Sequence, residues 1–109
     1  MTMKLSEAIR KGCEIATTQH VGAFFKDYDD TTCACALGTA WLGLIDAGLA
    51  REDGPISDEL NTAFPALLSA FPDERYNLWG EIVNRNDGRD GMRQNTREEI
   101  ATWLEAMGY

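Results

Sequence analysis

Three cysteines and one histidine carry whatever nucleophilic chemistry this chain of 109 residues could perform. Cys33 and Cys35 open a run of fifteen uncharged residues, 31–45, that reads as a buried helix. A thiol at the N-terminus of a helix is acidified, because free backbone amides and the helix dipole stabilise its thiolate. His20 is the sole histidine and stands thirteen residues upstream of Cys33. Cys33 with His20 is therefore the candidate catalytic pair of a cysteine-dependent enzyme, with Asp27, Asp29 or Asp30 available to orient the base. The competing reading treats Cys33 as a small apolar core residue, the usual state of a buried cysteine. No complete catalytic signature is present.

The same side chains can be read as metal ligands, since Cys13, His20, Cys33 and Cys35 supply four donors suited to zinc. Their spacing opposes it: one residue separates Cys33 from Cys35, where zinc knuckles place two to four. Residues 86–91, Asn-Asp-Gly-Arg-Asp-Gly, alternate oxygen donors with glycine. They fail the EF-hand template, which would put Gly88 at a ligand position and Arg97 where the bidentate glutamate belongs. The expectation is no metal and no cofactor.

Arg85, Arg89, Arg93 and Arg97 recur every fourth residue, giving residues 84–97 a net charge of +2 while the rest of the chain carries −10. Clustered guanidinium groups can grip a carboxylate or phosphate bidentately. Arg85, Asn86, Asp87, Arg89 and Arg93 are accordingly the candidate residues for binding a small anion. The alternative is that the arginines pair with nearby acids. Gly88, Gly91 and a cap at Thr96 interrupt any continuous helix that would align them.

These groups must be positioned by elements whose patterns are mostly helical. A first helix from Ser6, a suitable N-cap, to about Ala16 has Leu5, Ile9, Gly12 or Cys13, and Ala16 at helical spacing on one side. A second helix, at about 33–47, is apolar nearly all round and should be buried on most sides, with Gly48 as its left-handed stop. Gly38 and Gly43 each cost about 1 kcal/mol of helix propensity, which the close approach of a neighbouring helix would offset. Ser57 opens a third segment, and Pro65 suits the first turn of a piece carrying Leu67, Leu68 and Phe71. Pro72-Asp73 starts a helix to about Arg85 with Leu78 or Trp79, Ile82 and Val83 inward. Thr96 with Glu99 is a capping box for the last helix, which presents Ile100, Trp103, Leu104 and Met107. Trp41, Trp79 and Trp103 lie in these apolar stripes and should pack in the core. Between the first two helices, Val21, Phe24, Phe25 and Tyr28 flank Asp29-Asp30, a pattern fitting a short β-hairpin at about 21–33 or an ordered loop.

The expected fold is thus mostly α, one compact domain over residues 1–109 with about five helical segments around a central buried helix. Its size supports a single core without disulfides. A net charge of −8, from 18 acidic and 10 basic residues, disfavours phosphate backbones and anionic membranes and is compatible with a basic partner protein. No apolar run reaches the roughly 20 residues of a spanning helix. The first residues lack the apolar core of a signal peptide, and an odd number of cysteines reads as reduced thiols, so a cytoplasmic location is expected.

Met3-Lys4-Leu5-Ser6-Glu7-Ala8-Ile9-Arg10, Cys35-Ala36-Leu37-Gly38 and Ile82-x-x-x-Asn86-Asp87 with Thr96-Arg97-Glu98-Glu99-Ile100-Ala101-x-Trp103-Leu104 occur here in that order. The set resembles small uncharacterised bacterial and phage-associated proteins with a Ser-Glu-Ala-Ile-Arg start, a Cys-Ala-Leu-Gly helix and a terminal Asn-Asp then Thr-Arg-Glu-x-Ile-Ala-x-Trp segment. The resemblance covers less than half of the chain, and residues 88–95 lengthen the connection before the last helix. It implies a cytoplasmic single domain and brings no activity, substrate or cofactor. The favoured functional reading is a non-enzymatic protein-binding or regulatory module, with a homodimer through Gly38/Gly43 or exposed aromatics as one form. The alternatives are the Cys33–His20 enzyme and the small-anion binder of residues 85–97.

Overall fold

The apolar stripes collapse onto one core, whose buried members come from both ends of the chain: Leu5, Ala8 and Ile9; Ala36, Leu37, Ala40 and Leu44; Leu60 and Leu67; Leu78 and Ile82; Ile100, Ala101 and Leu104. A computed structural model describes residues 3–19, 25–28, 31–68, 77–88 and 93–109, with side chains at 25–28 and 31–33 outside the description. The elements run α1 (Leu5–Cys13), β1 (Thr18–Gln19), β2 (Phe25–Tyr28), β3 (Thr31–Ala34), α2 (Ala36–Asp46), α3 (Ile56–Ala63), a 3-10 turn (Pro65–Leu68), α4 (Leu78–Asp87) and α5 (Arg97–Ala106). The architecture is mostly helical, as expected.

α2 is the central element. Eight of its residues are buried, from Ala36 through Trp41 and again at Gly43 and Leu44. α1 lies directly on it, and glycine sets the distance: a β-carbon at Gly12 would stand 1.8 Å from the Thr39 carbonyl oxygen, and one at Gly43 would stand 2.1 Å from that of Ala8. The close approach needed to offset the glycine of α2 is thus supplied by α1 of the same chain. That contact uses Gly43 internally and removes it from the dimer surface expected of it. At the far end Gly48 takes φ +74° as the left-handed stop.

Several boundaries differ from the sequence reading. Ser6 is not the cap of α1; Lys4 is, its backbone amide donating to Glu7 Oε1 at 3.2 Å. Ser6 is buried instead, and both its amide and hydroxyl donate to the Tyr109 carbonyl oxygen at 3.1 Å. α2 starts at Ala36, two to three residues later than expected, because residues 31–34 are taken by a strand. β3 lies between β1, to which it runs parallel with Thr18 opposite Cys33, and β2, to which it runs antiparallel with Phe25 opposite Ala34 and Tyr28 opposite Thr31. The hairpin therefore spans 25–34; the expected turn at Asp29-Asp30, like Val21 and Phe24, falls outside the described residues. Pro65 begins a 3-10 turn and not a longer helix, and Phe71 and the expected start at Pro72-Asp73 also fall outside the described residues. α4 is capped by Asn77, whose Oδ1 accepts from the Gly80 amide at 2.9 Å, and it runs to Asp87, past the expected end at Arg85. The Thr96/Glu99 box forms as expected, with amide-to-side-chain bonds of 2.9 and 3.1 Å.

Candidate functional site

Several buried polar groups converge at the N-terminus of α2, where the ends of β1, β3, α4 and α5 meet. The free amides of the first turn of α2 need acceptors. Cys35 is the N-cap and its Sγ accepts from the Gly38 amide at 3.4 Å. The Ala36 amide donates to Asn86 Oδ1 at 3.0 Å, an interaction spanning fifty residues of sequence. Asn86 is 1% exposed, at the end of α4, and its Nδ2 donates to Asp87 Oδ1 at 2.9 Å.

Gln19 ties this cap to α5. Its Nε2 donates to Asn86 Oδ1 at 3.0 Å and to the Asn95 carbonyl at 2.8 Å, while its Oε1 accepts from the Arg97 amide at 3.0 Å. Arg97 turns inward and is 6% exposed. Its Nη1 donates to the Ala16 carbonyl at 2.5 Å and to Thr39 Oγ1 at 2.9 Å. Burying a guanidinium without a carboxylate is costly unless its donors find other acceptors; here the carbonyl and the hydroxyl serve. The result is a polar junction that fastens four elements to the central helix.

The candidate residues are distributed differently from the sequence expectation. Cys33 is in β3 and not at the mouth of α2, so it lacks the helix terminus that was to acidify it. His20 and the side chain of Cys33 fall outside the described residues. Cys35 holds the helix-terminal position instead. Burial pushes its thiol pKa up, and the nearby Asp87 charge adds to this; donation from the Gly38 and Leu37 amides opposes it without reversing it. A half-buried Cys13 is raised in the same sense, chiefly by burial, with the Arg97 charge opposing. Both are free thiols. Among the described residues no cluster of three metal-ligating side chains forms.

The arginine series does not act as a unit. Arg97 is in the junction, and Arg93 donates to Glu99 through Nη2 at 2.6 Å and Nη1 at 3.4 Å. That pairing, with the Thr96 amide, holds the Glu99 carboxyl at about 2. Arg85 lies over the Trp103 ring, its Cζ 4.0 Å from the ring centroid. Arg89 falls outside the described residues. The acids were expected to neutralise the arginines, yet only Arg93 of the three described uses one. Asn86 and Asp87, expected beside a ligand, are bonded to each other and, through Asn86, to α2.

Gln19, Thr39 and Arg97 were not singled out by sequence, and for Gln19 no signal existed: its partners lie 67 and 78 positions away. Arg97 was visible only as one arginine of four. Cys35-Ala36, Asn86-Asp87 and Arg97 meet at this junction, whereas residues 3–10 take no part in it. No known protein family, curated protein or solved structure matches the chain.

Proposed function

We propose that this chain is a non-enzymatic protein-binding or regulatory module that works without a cofactor in the cytoplasm. What supports this reading is that the polar groups at the head of α2 are engaged with one another. The Ala36 amide, the Asn86 and Gln19 carboxamides and Nη1 of Arg97 are bonded to each other, to backbone carbonyls and to the Thr39 hydroxyl. A catalytic centre needs polar groups directed at a substrate, whereas these hold elements together. Free thiols at Cys13 and Cys35 suit a reducing compartment.

The exterior then carries the contacts. Between α2 and α3 the exposed Glu52, Asp53 and Asp58 have no ion-pair partner among the described residues, beside an exposed Leu49. The neighbouring Arg51 is already paired with Glu59 at 3.1 Å. A basic partner surface complements this edge. The test compares immobilised wild type with a Glu52→Lys, Asp53→Lys, Asp58→Lys variant, each captured partner being purified and remeasured by calorimetry. Wild type should bind a basic protein, about tenfold tighter than the variant, with affinity falling as salt rises. A wild type that binds nothing saturably, or a variant that binds equally well, would overturn the reading.

A further inference from the structure

Arg85 differs from every other described arginine. Arg10 pairs with Glu98 and Glu105, Arg51 with Glu59, and Arg93 with Glu99; Arg97 is bonded to Ala16 and Thr39. The Arg85 guanidinium has no carboxylate and no hydrogen-bond acceptor among the described residues, and its Nε is buried without a partner. It rests on the Trp103 indole at 4.0 Å. An indole face attracts the charge but accepts none of the five in-plane N–H donors. A guanidinium whose Nε is removed from water without an acceptor is an incomplete arrangement.

The geometry also fixes where a missing acceptor would sit. Arg85 is half-buried, and of its three guanidinium nitrogens only Nε is both enclosed and without a partner, which leaves Nη1 and Nη2 for an outside acceptor. The contact with the Trp103 ring restrains the guanidinium. The backbone beneath is anchored, since the Arg85 carbonyl accepts from the Asn95 amide at 2.8 Å and the adjoining Asn86 is bonded to α2. Two parallel N–H groups on a fixed plane match the two oxygens of a carboxylate or phosphate, and pre-positioning lowers the ordering cost of binding. The surrounding segment 84–97 carries +2 in a chain of −8, so a small anion is favoured here and a polyanion is repelled by the remainder.

We infer that Arg85, stacked on Trp103, is a binding site for a small oxyanion, a carboxylate or a phosphate monoester group gripped end-on by Nη1 and Nη2. This narrows the five-residue anion reading of the sequence to one guanidinium on an aromatic platform, and it is independent of the acidic edge between α2 and α3. The test titrates the full chain with sodium phosphate and, separately, sodium acetate at constant ionic strength, following the arginine Nε–H resonances by NMR. A saturable shift of the Arg85 resonance in either titration supports the site, and which anion saturates identifies its source. Arg85→Lys, which keeps the charge and loses the fork, should weaken binding about tenfold, and Arg93→Gln should leave it within about twofold. Arg85 resonances that move without saturation in both titrations, or an Arg85→Lys chain that binds as tightly as wild type, would overturn the inference.

Discussion

Asn86 is the side chain on which the junction most depends, and Asn86→Ala measures it. The Ala36 amide it accepts belongs to a residue with 0% exposure, so the substitution leaves a buried N–H of the central helix without its acceptor. That orphaned donor costs about 1–3 kcal/mol. The lost bonds from Gln19 and to Asp87 add about 0.5–1.5 kcal/mol each, with Gln19 discounted because it keeps the Asn95 carbonyl at 2.8 Å. A loss of about 3 kcal/mol results, against a total stability on the order of 5–15 kcal/mol for a domain of this size. At about 4 °C per kcal/mol the midpoint of thermal unfolding should fall by roughly 12 °C. Circular dichroism melts with parallel urea titrations would read this directly. A change below about 1 kcal/mol would refute the claim that Asn86 caps α2, since it would mean that water satisfies Ala36 as well as the carboxamide does. Asn86→Asp sharpens the test. Its carboxylate still accepts from Ala36 but repels Asp87, so its folded-state pKa is raised and the variant should regain stability as pH falls into the carboxylate range.

Gly12→Ala should destabilise by about 2 kcal/mol or more despite the gain in helix propensity, because its β-carbon has the Thr39 backbone in the way; equilibrium urea unfolding checks this, and an unchanged midpoint would contradict the α1–α2 spacing. Gly48→Ala, with open space around it and φ +74°, should lose only about 1 kcal/mol in the same assay. The Glu99 carboxyl, held at about 2 against an ordinary 4.5, contributes stability that is present above pH 4.5 and lost as pH falls toward 2; Glu99→Gln should flatten the acid limb of the stability curve over that window. Cys13 and Cys35, both shifted upward by burial, should resist iodoacetamide at neutral pH in the native protein and react once it is unfolded in urea, as mass spectrometry would show.

Much of the fold was legible because its signals are local. The all-apolar surface of α2 announced burial, Gly48 marked its end, and the Thr96/Glu99 pair fixed the start of α5 within four residues of sequence. The misplaced boundaries have non-local causes. Ser6 has the chemistry of a cap, but the Tyr109 carbonyl, more than a hundred residues away, takes both of its donors. Residues 31–34 satisfy helical and strand preferences alike, and pairing with β1 and β2 decides for the strand.

The sequence by itself determined the helical class, the order of the helices and most of the core, because periodicity and capping act over a few residues; Leu68 and Met107, read as part of the apolar stripes, are exposed, and β1 was not foreseen. It also isolated the groups able to bind anions or act as nucleophiles. Which of those groups are spent and which remain open was decided only by the tertiary structure. Hydrogen-bond saturation depends on partners brought from distant positions: Asn86 reaches the head of α2, Gln19 reaches both α4 and α5, and Arg97 reaches Thr39. Four arginines at equal spacing look equivalent along the chain. Folding buries Arg97, pairs Arg93 with Glu99 and leaves Arg85 on Trp103 with its Nε unpartnered among the described residues, a difference that arises because each meets a different neighbour in space.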